Sequence, residues 1–156
     1  MSDIQNAFRL IGSLDLTSLS HDDTEEKIAA LCAKAVTPYG TTAAVCVYPE
    51  WVPLARKLLK KTPVKVATVV NFPAGGNDFK LMKDEIKKGL SGGADEIDAV
   101  FPYRDFLAGN TDSCRRFLDI IQRECGKHTS KIILETGELN HVSTIAAAVK
   151  LCLEYD

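Results

Sequence analysis

The chain alternates short apolar runs with longer stretches in which apolar residues recur every three or four positions. Short runs that end at Pro, Gly or Asn are typical of buried strands, and the longer period is typical of amphipathic helices. The run Thr42–Tyr48 is apolar on both faces, as in a parallel strand that is covered on both sides. The pattern predicts five strands, at residues 14–17, 42–48, 64–72, 96–103 and 131–136.

One helix is predicted before the first strand and one after each strand. Their apolar stripes lie at residues 4–11, 28–35, 51–58, 79–90, 114–125 and 142–153. These stripes would face the core, and Leu58, Val142 and Leu153 are among their members. Asp112 is the expected N-cap of the helix that carries the stripe 114–125.

Five strand–helix units after a leading helix fit either a doubly wound sheet or a (β/α)8 barrel. The first strand–helix loop has no glycine-rich phosphate fingerprint, which argues against a dinucleotide-binding sheet. Polar residues collect at the C-terminal ends of three predicted strands, at residues 71–73, 102–104 and 135–138, where barrel enzymes build their sites. The sequence therefore predicts an α/β protein of the (β/α)8 barrel class, with residues 1–156 as one domain.

The predicted barrel is incomplete. A full barrel needs eight strand–helix units and roughly 250 residues, whereas this chain has five units in 156 residues. The last helix runs to Asp156 with no C-cap glycine. We therefore expect the chain to be the N-terminal part of a barrel that lacks strands six to eight.

Composition narrows the classes of partner. The chain is 26% charged and 46% apolar, with a net charge of -2, so it has no basic excess for nucleic acid. It has no apolar run of the roughly 20 residues that a membrane span needs, and its N-terminus does not resemble a signal peptide. Five cysteines at irregular spacing, without a Cys-x-x-Cys pair, predict no structural zinc site. We expect a cytoplasmic protein that binds neither nucleic acid nor membrane.

Asp98 is the most unusual candidate, because it is a carboxylate inside the apolar run of the fourth strand. A buried carboxylate must be paired or protonated, since burying it alone is costly. Two interpretations stay open at this point: a structural ion pair with a nearby lysine, or an acid/base group tuned by its site. Lys131, at the start of the fifth strand, could supply the opposite charge, or it could be a solvated lysine at a strand end.

Two residues of the earlier strands are weaker candidates. Asp15 lies between two leucines in the first strand and could be a turn or cap residue. Cys46 lies in the middle of the second strand, where a lone cysteine is usually a core residue. Nothing near it in sequence would lower its pKa and make it a nucleophile.

Five segments resemble deoxyribose-phosphate aldolases, in the order and spacing of that family. They are DLTSL (15–19), AVCVYP (44–49), VNFPAG (70–75), GADEIDAVFPYR (93–104) and ILETGEL (133–139). Each motif is weak alone, but the five appear in the family's order and spacing, and the resemblance extends across essentially all of residues 8–156. The resemblance implies a class I aldolase on a (β/α)8 barrel that needs no metal and no cofactor.

The same resemblance implies roles for five residues. The family cleaves 2-deoxy-D-ribose 5-phosphate to D-glyceraldehyde 3-phosphate and acetaldehyde through a lysine Schiff base, whose iminium is the electron sink. Asp98 matches the family's proton donor and acceptor, and Lys131 matches a lysine that lines the site. Asp15, Thr17 and Cys46 match residues of the substrate pocket.

The resemblance also implies a departure. The family's Schiff-base lysine lies on the sixth strand in a Lys-Thr-Ser-x-Gly motif, which this sequence does not contain. We therefore expect the 156-residue chain alone to be inactive toward its phosphosugar substrate. Exposed sheet edges would drive it into a homo-oligomer or a strand-swapped assembly. The alternative function is a non-catalytic binding or assembly module that retains part of the barrel.

Overall fold

The computed structural model describes residues 3–155. Met1 and Ser2 of the N-terminus, and Asp156 at the predicted end of the last helix, lie outside the described residues. The helices are α1 Asp3–Ile11, α2 Glu25–Lys34, α3 Val52–Leu59, α4 Phe79–Gly92, α5 Tyr103–Leu107, α6 Thr111–Cys125, α7 Thr136–Leu139 and α8 Val142–Cys152. The strands are β1 Asp15–Thr17, β2 Val36–Thr37, β3 Gly40–Thr41, β4 Ala44–Val47, β5 Lys65–Val70, β6 Glu96–Val100 and β7 Thr129–Ile133. Short 3-10 turns lie at Pro49–Trp51 and Leu153–Tyr155.

The main sheet has five strands in the order β1-β4-β5-β6-β7, which follows the order of the chain. Strand β4 pairs in parallel with β1 on one side and with β5 on the other. The predicted α/β class with five sequential parallel strands is therefore confirmed. Strands β2 and β3 form a small antiparallel hairpin that the hydrophobic pattern did not predict, because two-residue strands are too short to show a period.

The chain divides into two compact units, so the expectation of a single domain stays a prediction. The first unit holds the residues up to Thr68 together with Lys88–Glu96, and the second holds Val69–Lys87 and the residues from Ile97 on. Each has its own buried apolar side chains. Those of the first unit include Ile28, Val45, Val47, Val52 and Leu59, and those of the second include Met82, Ile86, Phe101, Phe117 and Leu139.

Local capping decides where two of the helices begin. The Thr24 side chain accepts a hydrogen bond from the Lys27 N–H and caps α2. The N-cap of α6 is Asn110, which accepts from the Ser113 N–H, so the prediction of Asp112 was wrong by two positions. The longest described helix, α6, has 15 residues, and no helix among residues 3–155 is long and apolar enough to cross a bilayer.

All five strands of the main sheet are shorter than predicted, and β6 and β7 each end three residues early. Strand β6 ends at Val100 because Pro102, which has no N–H for a strand ladder, caps the helix that begins at Tyr103. Strand β7 ends at Ile133, and Glu135 in a left-handed conformation leads into α7 at Thr136. The predicted strand 131–136 was therefore displaced by two to three residues.

Some apolar stripes are not buried as predicted. Leu58 is 43% exposed, and Leu59 is the buried leucine of α3. Val142 is 83% exposed and Leu153 is 63% exposed, whereas Ala148 and Leu151 are buried on α8. Periodicity identifies which face of a helix is apolar, but it carries no information about whether another element covers that face.

Candidate active site

Asp98 and Lys131 form an ion pair in the second unit. Asp98 lies in the middle of β6 and Lys131 in the middle of β7, its neighbour in the sheet. The Lys131 Nζ lies 3.1 Å from the Asp98 Oδ1. The structure therefore brings together the carboxylate and the lysine that sequence analysis considered as partners.

The pair lies where water has limited access. The Asp98 side chain is 14% exposed and that of Lys131 is 38% exposed. The strand neighbours Ile97 and Ala99 are fully buried. Charge interactions are stronger at such a position than in open solvent. A carboxylate held there can exchange a proton with a bound molecule while the ammonium balances its charge.

A loop after β5, residues 71–77, is tied to the carboxyl end of β6. The Asn71 side-chain amide donates to the carbonyl oxygens of Gly76 and Val100, each at 2.9 Å. The Asn71 N–H donates to the Glu85 carboxylate at 2.7 Å. The sequence identified Asn71 only as a polar residue at the C-terminal end of the predicted strand 64–72, and the structure places it directly after β5.

Asp15, Thr17 and Cys46 lie in the first unit. Thr17 is in register with Cys46, and Asp15 is in register with Ala44. Because side chains alternate along a strand, these four residues share one face of the β1–β4 pair. Cys46 is 3% exposed, whereas Asp15 and Thr17 are exposed. The structure brings these three predicted pocket residues to one face of the sheet.

The thiols away from this face are poor nucleophiles. All five cysteines are free, and four are buried. Burial raises the pKa of the Cys125 and Cys152 thiols to about 11. Burial, followed by the Asp105 carboxylate, raises the pKa of Cys114 to about 11 as well. Because the thiolate is the reactive form, these three side chains act as small apolar groups at neutral pH.

The strand order and the Asp98–Lys131 pair together define a parallel α/β protein with a carboxylate and an amine on neighbouring strands. A family model described as DeoC/LacD family aldolase matches residues 9–154. The chain belongs to this aldolase family.

Solved structures of the same fold agree with this family. A provisionally assigned deoxyribose-phosphate aldolase from Coccidioides immitis is 29% identical with a TM-score of 0.87, over 93% of this chain and 56% of that one. One from Toxoplasma gondii ME49, also provisionally assigned, is 28% identical with a TM-score of 0.85, over 97% of this chain and 58% of its own. A structure named QR15, an aldolase, is 28% identical with a TM-score of 0.84, over 99% of this chain and 65% of that one. The chain thus spans between 56% and 65% of the length of these three structures.

Proposed function

We propose that this chain forms the N-terminal part of a class I deoxyribose-phosphate aldolase. The reaction would be the reversible cleavage of 2-deoxy-D-ribose 5-phosphate to D-glyceraldehyde 3-phosphate and acetaldehyde. The observation that carries the proposal is the 3.1 Å contact between Lys131 and Asp98 in a chain of this aldolase family. The names of two similar structures support the choice of substrate.

Asp98 is the proposed proton donor and acceptor. A Schiff base withdraws electrons from the neighbouring C–C bond, and the carbon released by cleavage must then take up a proton. A carboxyl group with restricted solvent access can deliver that proton and recover it in the reverse reaction. The Lys131 ammonium stabilises the carboxylate form between these steps.

Asp15, Thr17 and Cys46 are proposed to line the substrate pocket. Asp15 and Thr17 offer polar side chains to a hydroxylated substrate, and they share a strand face with Cys46. Cys46 is buried and is assigned a packing role, so Cys46→Ala should leave turnover nearly unchanged. A metal or an organic cofactor has no part in this proposal, because the iminium itself serves as the electron sink.

The Schiff-base lysine is proposed to lie outside these 156 residues. The Lys-Thr-Ser-x-Gly motif that carries it in the family is absent from the sequence. Lys131 forms an ion pair with Asp98. A nearby carboxylate favours the protonated form of an amine, and the protonated form is not a nucleophile. We therefore expect no turnover by the 156-residue chain alone.

The test compares this chain with a completed chain, in which the part of the Coccidioides immitis relative that follows the matched region is joined to the C-terminal end of this chain. Each protein is incubated with acetaldehyde and borohydride, which converts a Schiff base into a stable adduct that intact mass can detect. We expect an adduct and aldolase turnover in the completed chain and neither in the 156-residue chain. A completed chain that folds but forms no adduct would refute the proposed reaction.

Assembly with a second copy is also proposed, as a homo-oligomer or a strand-swapped form. Strands β1 and β7 lie at the two ends of the strand order, and unpaired edges are templates for another chain. On α8, Val142 and Leu153 expose apolar side chains. Sedimentation of the purified chain tests this proposal, and a monomer at high concentration would contradict it.

Five free cysteines support a cytoplasmic location, where thiols stay reduced.

A further inference from the structure

Asn71, the residue that follows β5, donates three hydrogen bonds. Its backbone N–H donates to the Glu85 carboxylate. Its side-chain amide donates one hydrogen bond to the Gly76 carbonyl oxygen and one to the Val100 carbonyl oxygen. Its backbone is left-handed, with φ at 56°, a conformation that asparagine tolerates better than most residues. The amide group therefore has a single orientation, set by contacts on two sides.

Gly75 gives the same loop a second attachment to the end of β6. Its φ is 58°, and a Cβ at this position would lie 2.6 Å from the Phe101 carbonyl oxygen. Only glycine allows so close an approach. The Arg104 Nη1 adds a hydrogen bond of 2.6 Å to the Ala74 carbonyl oxygen. The loop and the segment that follows β6 therefore hold each other at several points.

The end of β6 is also held from the side of β7. The Phe101 N–H donates to the Ile133 carbonyl oxygen at 2.9 Å. Asp98 precedes Val100 by two residues and shares its strand face, and Lys131 precedes Ile133 by the same spacing. A shift of the Val100–Phe101 segment would therefore change the separation of the Asp98 carboxylate and the Lys131 ammonium.

We propose that Asn71 is a positioning residue for the Asp98–Lys131 pair. Its amide holds the carboxyl end of β6 in place by the hydrogen bond to the Val100 carbonyl oxygen. This contact sets the position of the Asp98 carboxylate relative to the Lys131 ammonium. The importance of this effect for catalysis rests on the proposed aldolase function. The positioning itself is a property of the pair in the absence of any substrate.

The experiment uses the 156-residue chain labelled with 13C and 15N, and the variant Asn71→Gly. Glycine retains the left-handed backbone and removes the amide, so the variant isolates the two side-chain hydrogen bonds. Two signals report on the pair by NMR: the Asp98 carboxyl carbon and the Lys131 ammonium. Amide hydrogen exchange at Phe101 reports on the end of β6.

We expect exchange at Phe101 to become about tenfold faster or more in Asn71→Gly, and the Asp98 and Lys131 signals to move. Exchange at Val66, whose N–H donates to the Asp95 carboxylate in the first unit, should change by less than about twofold. The matched control is Asn77→Gly, which removes an exposed amide of the same loop that contacts Asp105 at 3.1 Å. That variant should leave all four readouts unchanged.

Unchanged Asp98 and Lys131 signals in a folded Asn71→Gly chain would overturn the proposal, and so would an equal loss of protection at Phe101 and Val66. If Asn71→Gly does not fold, Asn71→Asp decides, because it keeps the size of the side chain and loses both donors. It should reproduce the expected changes, and normal signals there would overturn the proposal. No substrate is used, so a negative borohydride test on the completed chain would refute the aldolase reaction without affecting this result.

Discussion

Asp95 and Asp98 are close in sequence and each pairs with a cation, yet their surroundings differ. Asp95 precedes β6 and belongs to the first unit, where it pairs with Arg56. Asp98 lies within β6 and belongs to the second unit, where it pairs with Lys131. The comparison shows how the partner of a carboxylate decides what the carboxylate can do.

The Asp95 pair is braced by backbone groups. The Asp95 Oδ2 accepts a hydrogen bond from the Val66 N–H at 2.9 Å, and the Asp95 N–H donates to the Val66 carbonyl oxygen at 2.7 Å. The Arg56 Nε donates to the Gly93 carbonyl at 2.9 Å, which fixes the guanidinium plane. A carboxylate held by these groups cannot turn toward a substrate without breaking several hydrogen bonds. Its role is structural.

The cation of the Asp98 pair, Lys131, has a more flexible side chain than Arg56, the cation of the Asp95 pair. The ammonium of Lys131 lies on a flexible four-carbon stem, and its side chain is more exposed than the carboxylate that it contacts. In the proposed reaction such a partner moves aside for the substrate, whereas the strand around Asp98 stays buried. The difference between a rigid and a movable partner separates the structural aspartate from the proposed acid/base.

The largest effect that tests this comparison is expected from Asp98→Asn in the completed chain. Turnover should fall by about 10²–10⁴, because the amide cannot exchange the proton. The matched control, Asp95→Asn, should keep turnover within a few-fold of the parent and lose stability instead. Steady-state kinetics and urea unfolding of both variants provide the measurement. Equal losses of turnover in the two variants would contradict the separation of roles.

A smaller effect, on stability, is expected from Arg56→Ala in the 156-residue chain. The free energy of unfolding should fall by about 1–3 kcal/mol, because the Asp95 carboxylate and the Gly93 carbonyl each lose the donor that Arg56 supplies. Arg56→Lys should restore only part of it, since an ammonium lacks the planar fork. The exposed Lys57 serves as the control, and Lys57→Ala should change stability by less than about 0.5 kcal/mol. The measurement is the midpoint of urea unfolding, and equal midpoints for Arg56→Ala and Lys57→Ala would refute the bracing role.

The next effect is the dependence of stability on alkaline pH. Cys114, Cys125 and Cys152 have folded-state pKa values raised to about 11 from an ordinary value of 9.0. Their contribution to stability is therefore complete below pH 9 and is lost as the pH rises through about 11.

Urea unfolding between pH 8 and pH 11 measures this dependence. The chain with all three thiols replaced by alanine should start less stable and show a shallower decline. An equally steep decline without the thiols would show that other groups titrate there.

The smallest effect is expected at an exposed ion pair, that of Asp22 with Lys27 at 2.6 Å. The Lys27 side chain, followed by Ser20, lowers the pKa of Asp22 to about 2. Any contribution is therefore present above the ordinary carboxyl pKa and lost as the pH falls through about 2. Exposed pairs contribute little because water and salt screen them, so Asp22→Asn should leave the melting temperature at pH 7 unchanged within error. A large loss would contradict the ranking of the three pairs.

The sequence by itself determined the class of fold and the candidate pair. Apolar runs such as Thr42–Tyr48 follow from local composition, because a strand covered on both sides favours apolar residues on both of its faces. Asp98 was detectable as a candidate because it interrupts such a run. The resemblance to aldolases rested on motifs that are each local in the chain, and the family match over residues 9–154 agrees with it.

Other features were decided only by the tertiary structure. The choice between Leu58 and Leu59 as the buried leucine of α3 depends on which side of the helix other elements cover. The ion pair of Asp98 with Lys131, which the sequence left as one of two interpretations, and the hydrogen bond from the Asn71 amide to Val100 each join residues about thirty positions apart. Local pattern does not settle whether residues so distant in the chain are in contact. The sequence determined which groups are chemically unusual, because burial of a charge is costly wherever it occurs. The tertiary structure decided which partner each of these groups contacts, because only folding brings distant strands together.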